Sequence, residues 1–133
     1  MAVHRMSVAL AHALLIEGRA LFIDTRSPGV WATADEQIPG ALRLSVAEAK
    51  LGVDRVPQAD SLIAYCTEEE EAASERVARA LVEAGYERCF CLRGGFTSWI
   101  ESGLPTEPKG GAAHAPTLAS AKPPTIAFCR ARF

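Results

Sequence analysis

Two kinds of apolar run alternate along the chain. Short runs of strand length occur at Ala20-Leu21-Phe22-Ile23, Leu62-Ile63-Ala64-Tyr65 and Cys89-Phe90-Cys91-Leu92, and a fourth, Ala41 to Leu44, is interrupted only by Arg43. Between them, apolar residues recur at helical spacing. Val8, Leu10, Ala11, Leu14 and Leu15 predict a first helix, with Ser7 as its cap and Gly18 as its stop. A short helix carrying Trp31 is predicted over Val30 to Glu36, and another over Val46 to Leu51, capped by Ser45. Ala73, Val77, Ala80, Leu81 and Ala84 share one face of a helix over Glu71 to Ala84, with Glu75 and Arg79 paired on its outer side and Gly85 ending it. A last helix over Phe96 to Ser102 turns Trp99 inward. Strands alternating with helices through short connections argue an α/β fold with a mostly parallel sheet.

Length and charge refine this picture. A chain of 133 residues, 49% hydrophobic and 23% charged, suits one core. From about Pro108 the periodicity stops and Gly, Ala, Pro, Ser and Thr dominate. The expected division is a domain over residues 1–108 and a flexible tail over 109–133. All 16 acidic residues and 10 of the 14 basic ones lie in 1–107, a net charge of −6, while Lys109, Lys122, Arg130 and Arg132 leave 108–133 at +4. Four charges are too few to argue nucleic-acid binding. No apolar run has the length of a membrane span, and the start of the chain does not read as a signal peptide. The expectation is a cytoplasmic protein.

The chemistry centres on cysteine. Cys66, Cys89, Cys91 and Cys129 form no C-x-x-C pair, and His4, His12 and His114 are scattered, so neither a metal nor a cofactor is expected. Cys89 and Cys91 alternate with Phe90 and Leu92, which gives them one face of a strand and the role of packing residues. Cys66 stands apart. It ends an apolar strand and faces the start of the Glu71 to Ala84 helix. In parallel α/β folds ligands bind at the carboxyl ends of strands, so a thiol there is a candidate nucleophile. Cysteine is also among the most buried residue types, and a filler role fits the same position.

Four segments, in order, resemble the rhodanese family. Ile23-Asp24-Thr25-Arg26 is similar to its D-x-R after an early strand, and Gln37-Ile38-Pro39-Gly40-Ala41 to G-H-I-P-G-A. Tyr65-Cys66 stands in the place of the active-site cysteine. Leu92-Arg93-Gly94-Gly95-Phe96-Thr97-Ser98-Trp99, followed by Gly103-Leu104-Pro105, resembles L-x-G-G-f-x-x-W…G-x-P. The resemblance spans roughly residues 7 to 108. It implies a five-stranded, mostly parallel sheet flanked by helices. It also implies a sulfurtransferase that moves a sulfane sulfur through a persulfide on Cys66 to a thiol acceptor. Thiosulfate, 3-mercaptopyruvate or a persulfide would be the donor, with a protein partner as a further option. The backbone amides of Thr67, Glu68, Glu69, Glu70, Glu71 and Ala72 would cradle the charged sulfur. Asp24, Arg26 and Arg93 would support the site, the first two by fixing the neighbouring loop.

The loop departs from the commoner family pattern, C-x-x-G-x-R and a serine. Seven residues separate Cys66 from Ser74 instead of five, with no glycine and no arginine among them, and four are consecutive glutamates. Glu71-Ala72-Ala73-Ser74 resembles a longer variant of the loop found in rhodanese-like proteins. Gln37 replaces the family histidine. The glutamates have two readings. Thr67 and Glu70 fit a T-x-x-E capping box, with acids complementing the helix dipole. Alternatively they form an acidic rim that selects a cationic or protein sulfur partner and repels thiosulfate. The missing arginine also admits a catalytically weak or inactive binding module. A phosphatase fits poorly, because a dianion wants an arginine and not four glutamates.

Overall fold

The computed structural model describes residues 3–67 and 72–109. The Glu68 to Glu71 part of the loop and the tail from residue 110 lie outside the described residues. So does the Lys50 side chain.

Five strands form one parallel sheet: β1 (His4–Met6), β2 (Ala20–Asp24), β4 (Leu42–Arg43), β5 (Ser61–Tyr65) and β6 (Cys89–Leu92), in the spatial order β1-β6-β5-β2-β4. A two-residue antiparallel pair joins β3 (Glu36–Gln37) to β7 (Glu107–Pro108). The helices are α1 (Val8–Ile16), α2 (Pro28–Thr33), α3 (Val46–Gly52), α4 (Ala73–Glu83) and α5 (Gly95–Glu101). Strand residues alternate between two cores, as the pleat requires. Leu21, Ile23, Leu62, Ala64, Cys89 and Cys91 pack with α3 and α4. Ala20, Phe22, Ile63, Tyr65 and Leu92 pack with α1 and α5. The central strand β5 is buried along its whole length, which is why it reads as a continuous apolar run.

Local chemistry accounts for several element starts. Ser7 Oγ accepts from Leu10 N at 3.1 Å and caps α1. Ser45 and Glu48 close a reciprocal capping box on α3, Glu48 N to Ser45 Oγ at 3.3 Å and Ser45 N to Glu48 Oε1 at 3.0 Å. The Glu75–Arg79 pair forms at 2.7 Å. α1 carries no clean apolar stripe: Ala11 is buried while Leu10 is half exposed. Lys109, at the start of the expected tail, is tied to the domain. Its backbone N–H donates to Asp35 O, and its ammonium group lies 3.8 Å from the centre of the Trp31 ring.

The Cys89 and Cys91 side chains share the α4 face, as their alternation requires, and Phe90 packs on the other. Burial pushes the Cys89 thiol up to about 11. At pH 8 only about one such thiol in a thousand is ionised, roughly a hundredfold fewer than for an ordinary cysteine. Iodoacetamide is therefore expected to label Cys89 at least about a hundredfold more slowly than free cysteine at pH 8. The gap should narrow as pH approaches 11, read peptide by peptide in a mass spectrometer. A pH-independent labelling rate would contradict the assignment.

Candidate active site

β5 delivers Cys66 to the carboxyl edge of the sheet, immediately after Tyr65. Cys66 continues the 62, 64, 66 alternation toward α4, and it is fully buried. Its Sγ lies 3.7 Å from Ser74 Oγ, in the first turn of α4. Ser74 is itself 3% exposed, so this contact is shielded from solvent.

The loop does not start α4 by the expected capping box. The helix begins at Ala73, and its N-cap is Ala72, with no side-chain cap bond. Thr67 Oγ1 is buried and has no hydrogen-bond partner among the described residues. The T-x-x-E pattern is a local signal, and here the chain is turned into α4 by Ala72 in the left-handed conformation, φ 62. That conformation costs a residue with a Cβ roughly 1–2 kcal/mol. Ala72→Gly should therefore raise stability by about 0.5 kcal/mol, after the extra chain entropy of glycine is subtracted. Urea unfolding checks this, and a loss of stability would mean that the turn is not strained.

The other side of Cys66 is held by α5. Phe96 N donates to Cys66 O at 2.8 Å and Thr97 N to Thr67 O at 3.0 Å, so the opening amides of α5 satisfy the carbonyls where β5 ends. Gly94 makes the preceding turn at φ 78, where an added Cβ would lie 1.9 Å from Ser98 Oγ.

The Asp24-Thr25-Arg26 segment closes a third side. Thr25 N and Thr25 Oγ1 both donate to Tyr65 O, at 2.8 and 2.9 Å. Arg26 Nη2 donates to Asp24 Oδ2 at 2.7 Å and to Glu36 O at 2.9 Å. The guanidinium lies over Phe96, 4.6 Å from the ring centre, and 5.7 Å from that of Tyr65. Burial works against the Arg26 charge, but hydrogen bonding and attraction to Asp24 hold its pKa above the ordinary value. Arg43 Nη1 donates to Arg26 O and lies 3.8 Å from Asp24 Oδ1. Burial also pushes the Tyr65 phenol well up, so it stays protonated on the opposite face of β5, where it accepts from Ile38 N at 3.2 Å.

Of the residues expected at the site, Asp24, Arg26, Cys66, Thr67 and Ala72 surround the carboxyl end of β5. Glu68, Glu69, Glu70 and Glu71 lie outside the described residues. Arg93 is exposed at the end of β6, and its backbone N–H donates to Met6 O. Among the described residues no group of acids, cysteines and histidines is arranged to hold a metal. No described helix is long and apolar enough to cross a membrane. Glu107 was not anticipated: its Oε2 accepts from Gln37 Nε2 at 2.7 Å and Gly40 N at 3.0 Å, fixing the Ile38-Pro39-Gly40 turn. In the sequence Gln37 and Glu107 are far apart, and only the β3–β7 pairing brings them together.

A strand-end cysteine under a helix start, braced by a D-T-R segment and a G-G turn, is also where comparison with known proteins leads. The profile of the Rhodanese-like domain matches residues 7–102. The chain belongs to the rhodanese-like domain family. A sulfurtransferase from Allochromatium vinosum is 30% identical over 99 residues, covering 74% of this chain and 89% of that protein. The fold superposes on a protein from Lactobacillus plantarum with a TM-score of 0.70 at 19% identity, over 78% of this chain and 87% of that one. A thiosulfate sulfurtransferase from Pseudomonas aeruginosa is 26% identical with a TM-score of 0.63, over 80% of this chain but 19% of its own length. This rhodanese-like domain thus has relatives in the sulfurtransferase family, and its five-stranded parallel sheet with helices on both faces is the fold they share.

Proposed function

We propose that the protein is a sulfurtransferase with Cys66 as its sulfur-carrying nucleophile. The observation that supports this most is the position of Cys66. In a rhodanese-like domain related to a sulfurtransferase, its thiol ends the central strand and meets Ser74 Oγ at 3.7 Å. In the first half-reaction the Cys66 thiolate attacks the transferable sulfur of a donor, the sulfane sulfur of thiosulfate or a persulfide or the thiol sulfur of 3-mercaptopyruvate. A sulfur–sulfur bond forms at Sγ, and the donor leaves with the electron pair of its broken bond, as sulfite, the enolate of pyruvate, or a thiolate. In the second, an acceptor thiolate attacks the outer sulfur, takes it as a persulfide, and returns the thiolate to Cys66. No oxidant is needed. Backbone amides of Thr67 to Ala72 would hold the charge on the outer sulfur.

The run Glu68 to Glu71 shapes donor choice. A carboxylate-rich loop with no arginine disfavours a dianion such as thiosulfate and favours a persulfide or a cationic protein partner. The test is intact mass after incubation with thiosulfate, 3-mercaptopyruvate or glutathione persulfide. A gain of one sulfur, lost on adding a thiol, supports the proposal. No gain from any donor would replace it with the second reading, a rhodanese-like module that binds a partner without turnover, for which the missing arginine speaks.

A further inference from the structure

α1 carries no charge on any side. Its nine residues, Val8-Ala9-Leu10-Ala11-His12-Ala13-Leu14-Leu15-Ile16, include one polar side chain, His12. That ring turns edge-on to Trp99, with centres 5.8 Å apart, and Ala11 is buried. The outer face is therefore Ala9, Leu10, Ala13 and Ile16, spaced along one side of the helix. Leu10 is 51% exposed and Ile16 71%. A surface helix ordinarily turns polar residues outward, and a helix that is apolar all round is covered. α5 lies beside α1 on the same face of the sheet and adds Ile100, 44% exposed. An uncovered apolar face of this kind marks an interaction site.

Two features of the same chain point to what covers it. The first is where the chain runs. Leu104 packs into the α1–α5 cluster and Pro105 O accepts from Trp99 Nε1 at 2.7 Å, so the chain leaves α5 on this side before it reaches Lys109. Beyond Lys109 the sequence turns strongly apolar at Ile126-Ala127-Phe128. The 16 residues between Lys109 and Ile126 can span up to about 55 Å, enough to reach any part of a domain with a radius of gyration of about 13 Å. The second feature is charge. Each of the two exposed isoleucines is followed by an exposed acid, Ile16 by Glu17 and Ile100 by Glu101. Glu17 meets Arg19 at 3.4 Å, but Arg19 is held more closely by Asp60, at 2.9 Å. Phe128 is followed by Arg130 and Arg132, and residues 110–133 contain no acid. We propose that Ile126-Ala127-Phe128 of this same chain seats on the outer face of α1 and α5, with Arg130 and Arg132 meeting Glu17 and Glu101. α1 of a second copy would offer apolar surface to this face but no cation to those acids, since α1 contains none.

Cys129 directly follows Phe128 and reports on its seat. The test is the rate of Cys129 alkylation by iodoacetamide in the full chain, followed on the Cys129 peptide. Ile16→Gln removes apolar surface from the seat without touching the core, since that side chain is 71% exposed. It is expected to speed Cys129 labelling about tenfold. Leu51→Gln is the control. Leu51 is 83% exposed on α3, which packs on the opposite face of the sheet, and its loss should leave the rate where it is. Neither substitution changes charge, so the intrinsic reactivity of the thiol is the same in all three proteins. The wild-type rate should also hold constant over about a hundredfold range of protein concentration, as a contact within one chain requires. Equal rates in wild type and Ile16→Gln would overturn the proposal. So would an equal acceleration in Leu51→Gln. A wild-type rate that falls as concentration rises would overturn it too, and would give the face to a second copy.

Discussion

Cys66→Ser is expected to take up no sulfur from any donor and to transfer sulfur at least about a thousandfold more slowly than wild type. The size follows from the chemistry. A thiol ionises within reach of neutral pH and attacks sulfur readily, whereas a serine hydroxyl stays protonated and is a poor nucleophile toward sulfur. The substitution is otherwise mild. Serine is close to cysteine in shape, the position is fully buried, and a hydroxyl there can still hydrogen-bond to Ser74 Oγ. The melting temperature should therefore move by only a few degrees, so loss of transfer would not be loss of fold. Intact mass with each donor, together with sulfite or pyruvate release, measures both halves of the expectation. Transfer that survives in Cys66→Ser would remove Cys66 from the reaction and leave the remaining thiols to account for it.

The strand-end position of Cys66 is legible from the sequence because β5 is buried throughout, and a buried strand is an uninterrupted apolar run. The edge strand β1 was not anticipated. His4-Arg5-Met6 is three residues long with two of them exposed, so it has neither the length nor the pattern of a strand. The start of α4 at Ala73 lies later than the local pattern predicts, for a different reason. Thr67 and Glu70 satisfy a local capping rule, but Ser74 reaches Cys66 only from the first turn of a helix that begins at Ala73. That tertiary requirement sets the start of the helix, through a left-handed Ala72. The Asp24 and Arg26 pair could be read as a brace for the loop. That Arg26 also lies over Phe96 depends on α5 returning to the end of β5.

Asp24→Asn is expected to cost about 3–5 kcal/mol of stability, the range for breaking a buried ion pair from one side. Asp24 is 1% exposed and lies between two cations, Arg26 at 2.7 Å and Arg43 at 3.8 Å, themselves 2% and 7% exposed. Removing its charge leaves both guanidinium groups without their anion in a place water does not reach. Arg26→Met should cost less, by about 1–2 kcal/mol, because Asp24 then keeps Arg43 while the methionine fills the space over Phe96. Urea unfolding of the two variants tests the order as well as the sizes. Equal losses would mean that Arg43 does not share the carboxylate. A functional consequence follows from the same contacts. Thr25, between the paired residues, holds Tyr65 O through two hydrogen bonds, one residue before Cys66. In Asp24→Asn, measured at a temperature where the variant is still folded, sulfur uptake at Cys66 should fall about tenfold as that end of β5 loosens. Full uptake in a destabilised but folded Asp24→Asn would mean that α5, through its bond from Phe96 N to Cys66 O, holds the thiol in place without help from the ion pair.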